Sequence, residues 1–269
     1  QAPLLPYKTP LDIPALDDRF RSELDWKGNV VKSCVHCHQI GDALRRTVRD
    51  RGEKLSMSMI YPFPAPETIG LHLSKDSVRT VDRVEPDSPA SRAGLQAGAV
   101  IAAIDGQMPI STADYSWALH QFADEGTLNI AIENPVGAPQ HIVARVELEP
   151  GWRAATGMTQ RVGNWPMRAM AFGGMRLEEM SDADKRSKGI SADQMALLAL
   201  NVGQYGRHAL AKKQGFKKGD IIVEVDGSRT ARSEGDLMAD ILLNQKAGAR
   251  IPATVLRNGK EIDLKIPVQ

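Results

Sequence analysis

Two glycine-punctuated blocks of similar sequence constrain the fold of this chain more than any other feature. AGLQAGAVIAAIDG fills residues 93–106, and QGFKKGDIIVEVDG fills residues 214–227. Each block has a glycine that ends a short helix, a mostly apolar run suited to a strand, and an Asp-Gly turn. Aligning Leu95 with Phe216 places the copies 121 residues apart, so the chain contains a loose internal repeat.

Length and composition limit the class of protein. The 269 residues are enough for two or three ordinary domains. Hydrophobic residues make up 42% and charged residues 25%, as in folded globular proteins. The net charge of +1 gives no electrostatic reason to expect nucleic acid or an anionic membrane as a partner. The longest apolar runs, such as residues 195–200, are too short to span a bilayer.

Strand and turn signals surround both blocks. Residues 68–73 alternate apolar with small or polar side chains, as a half-buried strand does, and Ser111 is predicted to cap a helix. Around the second block we predict a helix-prone insertion at 181–200 and a long helix at 233–245. Residues 258–259, an Asn-Gly pair, predict a hairpin turn near the end of the chain.

These patterns resemble tandem PDZ domains of the bacterial type. SPASRAGLQAGAVIAAIDGQ at 88–107 is close to the family's S-P-A-x-x-A-G-L-x-x-G-D-x-I stretch, although Ala99 stands where Asp is usual. The resemblance implies two α+β domains, each a partly open β-barrel with two helices. Paired domains of this kind are similar to the tail of HtrA-type serine proteases. No G-x-S-x-G stretch is present and no Ser/His/Asp set stands out, so proteolysis is not predicted.

The same resemblance implies two peptide-binding grooves. A PDZ groove adds an extended peptide to a sheet edge, and loop amides capture its C-terminal carboxylate. In the first copy, the predicted groove residues are Ile69, Gly70, Leu71, Tyr115 and Leu119. In the second copy, they are Gly173, Gly174, Met175, Leu237 and Ile241. The alternative is that one or both grooves are filled internally and the domains are rigid packing modules.

The two cysteines of the chain, Cys34 and Cys37, are too few for a disulfide framework. With His38 they form C-x-x-C-H, the attachment pattern of a c-type haem. Two thioethers would anchor the porphyrin, and the adjacent imidazole would ligate the iron. The segment resembles a class I cytochrome c. We therefore predict one covalent haem c in a small all-α segment, with Cys34 and Cys37 as anchors and His38 as the proximal ligand.

Other interpretations of the cysteine pair remain open. They are a thioredoxin-like redox dithiol, half of a zinc site, and a structural disulfide or chance occurrence. Candidates for the sixth iron ligand are Met59, Met57 and His72, whose plainer roles are core filling and a solvent-facing strand position. Because so few residues can hardly enclose a haem, we hypothesise that the first PDZ domain or a second copy of the chain completes the pocket.

The chain as a whole resembles the C-terminal part of bacterial exported thioredoxin-like/PDZ proteins. Their blocks SCVHCHQIGDALR, IYPFPAPETIGL and GFKKGDIIVEVDG occur here in the same order. The resemblance implies a periplasmic or otherwise extracytoplasmic location, with the signal peptide removed. The predicted modules are a cytochrome c-like segment at 1–64, PDZ domains at 65–150 and 172–269, and a structured linker at 151–171.

The leading functional prediction is a periplasmic c-type haem protein for electron transfer or redox sensing. Its PDZ domains would bind protein or peptide C-termini and place the haem beside a redox partner. The alternatives are a PDZ scaffold or adaptor with a structural haem, and a peroxidase-like haem enzyme with an open distal site. Neither nucleic acid nor a membrane span is expected, no catalytic residue is assigned, and a homo-oligomer is left open.

Overall fold

The computed structural model describes residues 13–14, 37–134, 141–158 and 164–269, apart from the side chains of residues 37–39. Two compact units divide these residues. The first unit contains Met57–Gly157, and the second contains Met158–Gln269 with the described residues of Tyr7–Ser56. Over the described ranges, no helix is both long enough and apolar enough to cross a membrane.

In chain order the helices are α1 (Cys37–Asp50), α2 (Met57–Ile60), α3 (Pro89–Arg92), α4 (Thr112–Gln121), α5 (Asn164–Phe172), α6 (Asp182–Ser187), α7 (Leu210–Lys213) and α8 (Glu234–Asn244). The strands are β1 (Leu71–Leu73), β2 (Val81–Val84), β3 (Ile101–Ile104), β4 (Gly126–Ile132), β5 (Ile142–Leu148), β6 (Met175–Glu179), β7 (Leu197–Val202), β8 (Ile221–Val225), β9 (Arg250–Arg257) and β10 (Lys260–Pro267).

The first unit has two small antiparallel sheets around one apolar core. β1 pairs with β2, and β3, β4 and β5 form a three-stranded sheet in that order. The core includes Ile69, Leu71, Tyr115 and Leu119, all fully buried. Helix α4 begins where the sequence predicts, because Ser111 and Asp114 form a capping box that satisfies backbone N–H groups of the first turn.

The second unit is built on a five-stranded antiparallel sheet in the order β10-β9-β8-β7-β6. Asn258 and Gly259 join β9 to β10 with positive φ angles of 51° and 76°, the conformation that an Asn-Gly hairpin turn requires. Both units are α+β, and both carry the strand, turn and long-helix order that the repeated blocks predict.

The insertion at 181–200 differs from the helical prediction. Only Asp182–Ser187 is helical, whereas the apolar run within Leu197–Val202 is strand β7, paired with β6 on one side and β8 on the other. A short apolar run does not distinguish a buried strand from a buried helix by periodicity, so sheet pairing decided its conformation.

A separate all-α haem segment is not found in the described part of 1–64. Helix α1 belongs to the second unit, where Arg49 donates to the backbone oxygens of Gln245 and Gln269 at 2.7 and 2.6 Å. Helix α2 belongs to the first unit. The prediction of an all-α segment is therefore wrong for these residues, since both helices are parts of larger units. The exact bounds of the predicted modules stay predictions.

Candidate functional site

The predicted carboxylate-binding loop of the first unit is a tight 3-10 turn at Pro66–Ile69 that ends at Gly70. Gly70 has φ of 81°, a left-handed conformation that favours glycine. A Cβ at this position would lie 2.2 Å from Cβ of Ser88, whose hydroxyl caps α3. The loop therefore needs glycine both for its conformation and for its approach to α3.

Strand β1 follows this loop directly, and β2 is its only partner strand among the described residues. Its other edge is thus free of sheet pairing in the part of the chain that the structure describes. An edge strand next to a helix is the arrangement that accepts an added peptide strand. The first unit thus has an unpaired strand edge at the predicted site of strand addition, and its role in peptide binding stays a prediction.

The four predicted apolar groove residues of the first unit are brought together, but as core. Ile69, Leu71, Tyr115 and Leu119 are each 0% exposed. The Tyr115 hydroxyl donates to the Val78 carbonyl at 2.9 Å, and burial raises the pKa of this phenol. These side chains are therefore part of the apolar core and do not line an open pocket.

An exposed aromatic cluster lies on the outer side of α4, and the sequence analysis did not anticipate it. The ring of Phe63 is tilted against His120 with centroids 4.3 Å apart, and it stacks with the ring of Trp117 at 6.3 Å. Phe63 is 46% exposed and Trp117 49% exposed. Burial lowers the pKa of His120, and the positive charge of Arg153 adds to this effect. The only sequence signal was the presence of aromatic residues in a proline-rich stretch.

Arg153 holds the C-terminal end of α4. Its guanidinium donates to the carbonyls of His120 and Phe122 and pairs with Asp124 at 3.2 Å. A cation suits this position, because the helix dipole leaves partial negative charge on the last carbonyls. Arg153 is 2% exposed and lies over the Trp152 ring at 4.6 Å, so the chain after β5 is tied to α4.

His72 lies on β1 in a surface ion-pair network. Its Nε2 is 2.7 Å from the carboxylate of Glu85 and 2.9 Å from the guanidinium of Arg83. Arg83 and then His72 hold the pKa of Glu85 below its ordinary value. The imidazole of His72, one of the candidate distal iron ligands, is therefore engaged with a carboxylate.

The corresponding loop of the second unit contains Gly173 and Gly174, with φ of 61° and 93°. The Gly173 carbonyl accepts from Ala211, and the Gly174 carbonyl accepts from Gly203 at 3.0 Å. A Cβ on Gly174 would lie 2.2 Å from the backbone oxygen of His208. Both glycines are needed because the chain around α7 packs directly on this loop.

The predicted groove side chains of the second unit are also buried. Met175, Leu237 and Ile241 are at most 3% exposed. Strand β6 is an edge of the sheet, with β7 as its only partner strand among the residues described. Beside it, Glu234 at the start of α8 accepts the backbone N–H of Leu177 at 2.7 Å and pairs with Arg168 of α5 at 2.6 Å. The edge that would receive a peptide thus already has an intramolecular partner.

An open pocket of about 880 Å³ forms elsewhere in the second unit. Its walls carry the apolar side chains Met180, Leu198, Ile221 and Leu256 and the charged side chains Glu178, Glu179, Asp184 and Lys188. No local sequence pattern indicates this pocket, because its lining comes from β6, α6, β7, β8 and β9, which are distant along the chain.

The haem-attachment pattern falls at the limit of what the structure describes. Cys34 lies outside the described residues, and α1 begins at Cys37, so that Cys37 and His38 occupy its first turn. Met57 and Met59 are half-buried in α2 of the other compact unit. Among the described residues, no three His, Cys, Asp or Glu side chains form a group that could hold a metal ion.

Comparison with protein families identifies both repeats. Residues 80–127 and residues 208–268 each match a PDZ domain model. The chain therefore carries tandem PDZ domains, as the repeated blocks predict.

Two curated relatives are named as serine proteases. A "Serine protease Do-like HtrA" of Lactobacillus helveticus is 35% identical over 63 residues, which are 23% of this chain and 15% of the relative. A "Probable periplasmic serine endoprotease DegP-like" of Marinomonas sp. is 24% identical over 194 residues, 72% of this chain and 37% of the relative. The chain thus spans well under half the length of these relatives.

Among solved structures, a variant of the HtrA-type protease AlgW with decapeptide is similar, with a TM-score of 0.34 and 19% identity. The match covers 53% of this chain and 40% of that structure. A likeness of this size has no bearing on function or on domain arrangement.

These comparisons contradict the haem prediction. The curated relatives are named as serine proteases, and not as cytochromes. The prediction of a haem c protein for electron transfer or redox sensing is therefore wrong. The residue roles that depended on this haem are withdrawn with it. They are Cys34 and Cys37 as anchors, His38 as proximal ligand, and Met57, Met59 and His72 as candidate distal ligands. The C-x-x-C-H pattern has three defined positions in five, which is too short to establish a cofactor by itself.

Proposed function

We propose that this chain, which carries tandem PDZ domains, is an extracytoplasmic peptide-binding protein of the HtrA/DegP-like kind. Its first PDZ domain captures an extended segment of a partner protein by strand addition at β1. The observation that carries the proposal is the edge strand β1, which follows the Gly70 loop and has no second partner strand among the described residues.

An exposed aromatic surface of the first unit suits a peptide ligand. Trp117 and Phe63 are each about half exposed on α4 and the segment before β1. Exposed aromatic side chains are enriched at binding hot spots, because they bury much area with little loss of conformational freedom. We propose that they contact ligand side chains while the β1 backbone pairs with the ligand backbone. In this proposal, the side chains that the sequence predicted to line the first groove form the core on which β1 and α4 pack.

The proposed location outside the cytoplasm rests on similarity to the relative named as periplasmic. The more specific resemblance to exported thioredoxin-like/PDZ proteins remains a prediction.

Fluorescence polarisation with a random decapeptide library tests the proposal. We expect binding by the wild-type chain, and affinity about tenfold lower for Trp117→Ala, the factor that corresponds to about 1.4 kcal/mol. Tyr205→Ala is the matched control, because Tyr205 is 86% exposed and lies in the other unit. Absence of binding by the wild-type chain would overturn the proposal.

A second experiment separates capture of C-termini from capture of internal segments. Each binding peptide is compared with its C-terminally amidated form. If the Gly70 loop binds a carboxylate, amidation weakens binding, whereas strand addition alone is insensitive to it.

A second candidate function is that the chain forms the peptide-recognition part of a serine protease. The similarity to the DegP-like endoprotease over 194 residues favours it. Peptide binding without hydrolysis of fluorescent casein is the result that a recognition part gives. Hydrolysis that is blocked by diisopropyl fluorophosphate would contradict this candidate, because the chain would then carry catalytic residues of its own.

A further inference from the structure

The two long helices that correspond in the repeat differ in how much of their surface is covered. Helix α4 has ten residues and buries three, Tyr115, Ala118 and Leu119. Helix α8 has eleven residues and buries seven, Glu234, Gly235, Leu237, Met238, Ala239, Ile241 and Leu242. One buried stripe is enough to pack a helix on its own domain core. The wider buried surface of α8 therefore has a second cover.

Helix α5 provides much of that cover. It contacts α8, β6 and β10, and it leads directly into the Gly173-Gly174 loop and β6. Its apolar residues Met167 and Phe172 are buried. Just before it in sequence, Met158 packs on α8, so that a Cβ on Gly235 would lie 3.3 Å from Cβ of Met158. The face of α8 next to the β6 edge is thus occupied by this chain's own residues.

A charged contact joins α5 to the groove. The guanidinium of Arg168 donates from Nε and Nη2 to the two carboxylate oxygens of Glu234, at 2.9 and 2.6 Å. Glu234 is 8% exposed and also accepts the Leu177 N–H of β6. Two-point pairing of this kind is strong and directional, and a buried carboxylate that loses its cation is costly. The three residues connect α5, α8 and the edge strand.

We infer that α5 is an intramolecular ligand of the second PDZ groove, held in place by the Arg168–Glu234 pair. An external peptide gains access to β6 only when this pair opens and α5 leaves. The inference rests on the proposed peptide-binding function and assigns the two domains different states: the first groove is accessible, and the second is closed by the chain itself.

The first unit differs from the second at the positions that correspond to the Arg168–Glu234 pair, which we call the latch. At the helix position that corresponds to Glu234, directly after the N-cap, α4 has Thr112, which is exposed. The segment before β1 contacts α4 through the 3-10 turn at Pro66–Ile69 and through Phe63, whose side chain remains 46% exposed. The carboxylate in the first turn of α4, that of Asp114, accepts from the backbone N–H groups of Ile110 and Ser111, whereas Glu234 accepts from the edge strand of its unit.

Amide hydrogen exchange of the full chain tests the inference. In Arg168→Ala, we expect the Leu177 amide and the rest of β6 to exchange about tenfold faster than in the wild type, a change of about 1.4 kcal/mol in opening free energy. Arg232→Ala is the matched control, because it breaks an exposed α8 ion pair with Asp240 that does not involve α5. Unchanged exchange in β6 of Arg168→Ala would overturn the inference.

A second variant covers the case in which Arg168→Ala fails to fold. Arg168→Lys keeps the charge but loses the two-point geometry, and we expect a smaller acceleration confined to α5 and β6. A labelled peptide with the sequence of residues 164–172, NWPMRAMAF, is then titrated against each protein. Binding about tenfold tighter to the latch variants than to the wild type supports the inference, and equal binding contradicts it.

The two proposals fail in different ways. If exchange in β6 accelerates but the decapeptide library binds no form of the chain, the latch is present and the peptide-binding function is wrong. If the library binds the wild type and Arg168→Ala shows neither faster exchange in β6 nor additional binding, the function stands and the latch is wrong.

Discussion

Arg257 of β9 makes a two-point ion pair with Asp220, the residue that directly precedes β8. Nε donates to Oδ1 at 2.6 Å and Nη2 donates to Oδ2 at 2.7 Å. Nη2 also donates to the Gly215 carbonyl, and Asp220 is 1% exposed. The two hydrogen bonds that the Asp220 carboxylate accepts raise the pKa of Arg257. The pair ties the glycine turn before β8 to the sheet, at the position where the first repeat has Ala99.

We predict that Asp220→Ala destabilises the second unit by about 2–3 kcal/mol, because a charge-assisted, buried interaction is lost and Arg257 keeps a donor without a partner. Urea unfolding measured by circular dichroism checks this value. Arg229→Ala serves as the control, since its ion pairs with Glu224 and Glu261 are largely exposed. It is expected to cost less than about 1 kcal/mol. Equal effects of the two variants would contradict the structural role of Asp220.

The glycine loop of the first unit allows a matched comparison. Gly70 and Gly94 both have φ of 81°, but a Cβ on Gly94 has no atom within 4 Å, whereas a Cβ on Gly70 meets Ser88. We predict that Gly94→Ala costs about 1–2 kcal/mol from backbone strain alone. Gly70→Ala is expected to cost about 1–3 kcal/mol more, from overpacking. Denaturant midpoints of the two variants measure the difference.

Removing the Ser88 side chain should restore stability to the Gly70→Ala variant. Ser88→Gly in the Gly70→Ala background takes away the Cβ that collides, although α3 then loses its serine cap. We expect the double variant to recover part of the lost stability. No recovery would mean that backbone strain, and not the contact with Ser88, dominates at Gly70.

His120 should make the first unit sensitive to mild acid. Burial, with the nearby charge of Arg153, lowers the pKa of His120 below its ordinary value of 6.5. The unfolded chain then binds the proton more readily than the folded one, so the stability contribution is present above pH 6.5 and falls as the pH drops through 6.5.

Thermal unfolding of the first unit between about pH 5 and 8 measures this dependence. His120→Phe removes the titrating group while keeping a ring against Phe63, and it should flatten the profile. His141→Asn is the control, because His141 is exposed, and it should leave the profile unchanged. A wild-type profile without a fall below pH 6.5 would contradict the prediction.

Much of the fold was predictable because it depends on local chemistry. The Asp-Gly and Asn-Gly turns have the positive φ angles that these residues tolerate, and Ser111 and Ser233 both cap the long helices. The repeated blocks predicted two PDZ domains, and the family comparison confirmed them. The haem prediction was wrong, because a five-residue pattern carries too little information to specify a cofactor.

The sequence by itself determined where turns and helix caps occur, since these depend on backbone conformations and hydrogen bonds between near neighbours. Only the tertiary structure decided what became of the predicted groove residues. Tyr115 and Leu119 became core, and Leu237 and Ile241 were buried in the second unit. The contact between Arg168 and Glu234 joins residues 66 positions apart. Which surface stays open depends on which distant segment packs on it, and that outcome is set by competing long-range contacts that no local pattern records.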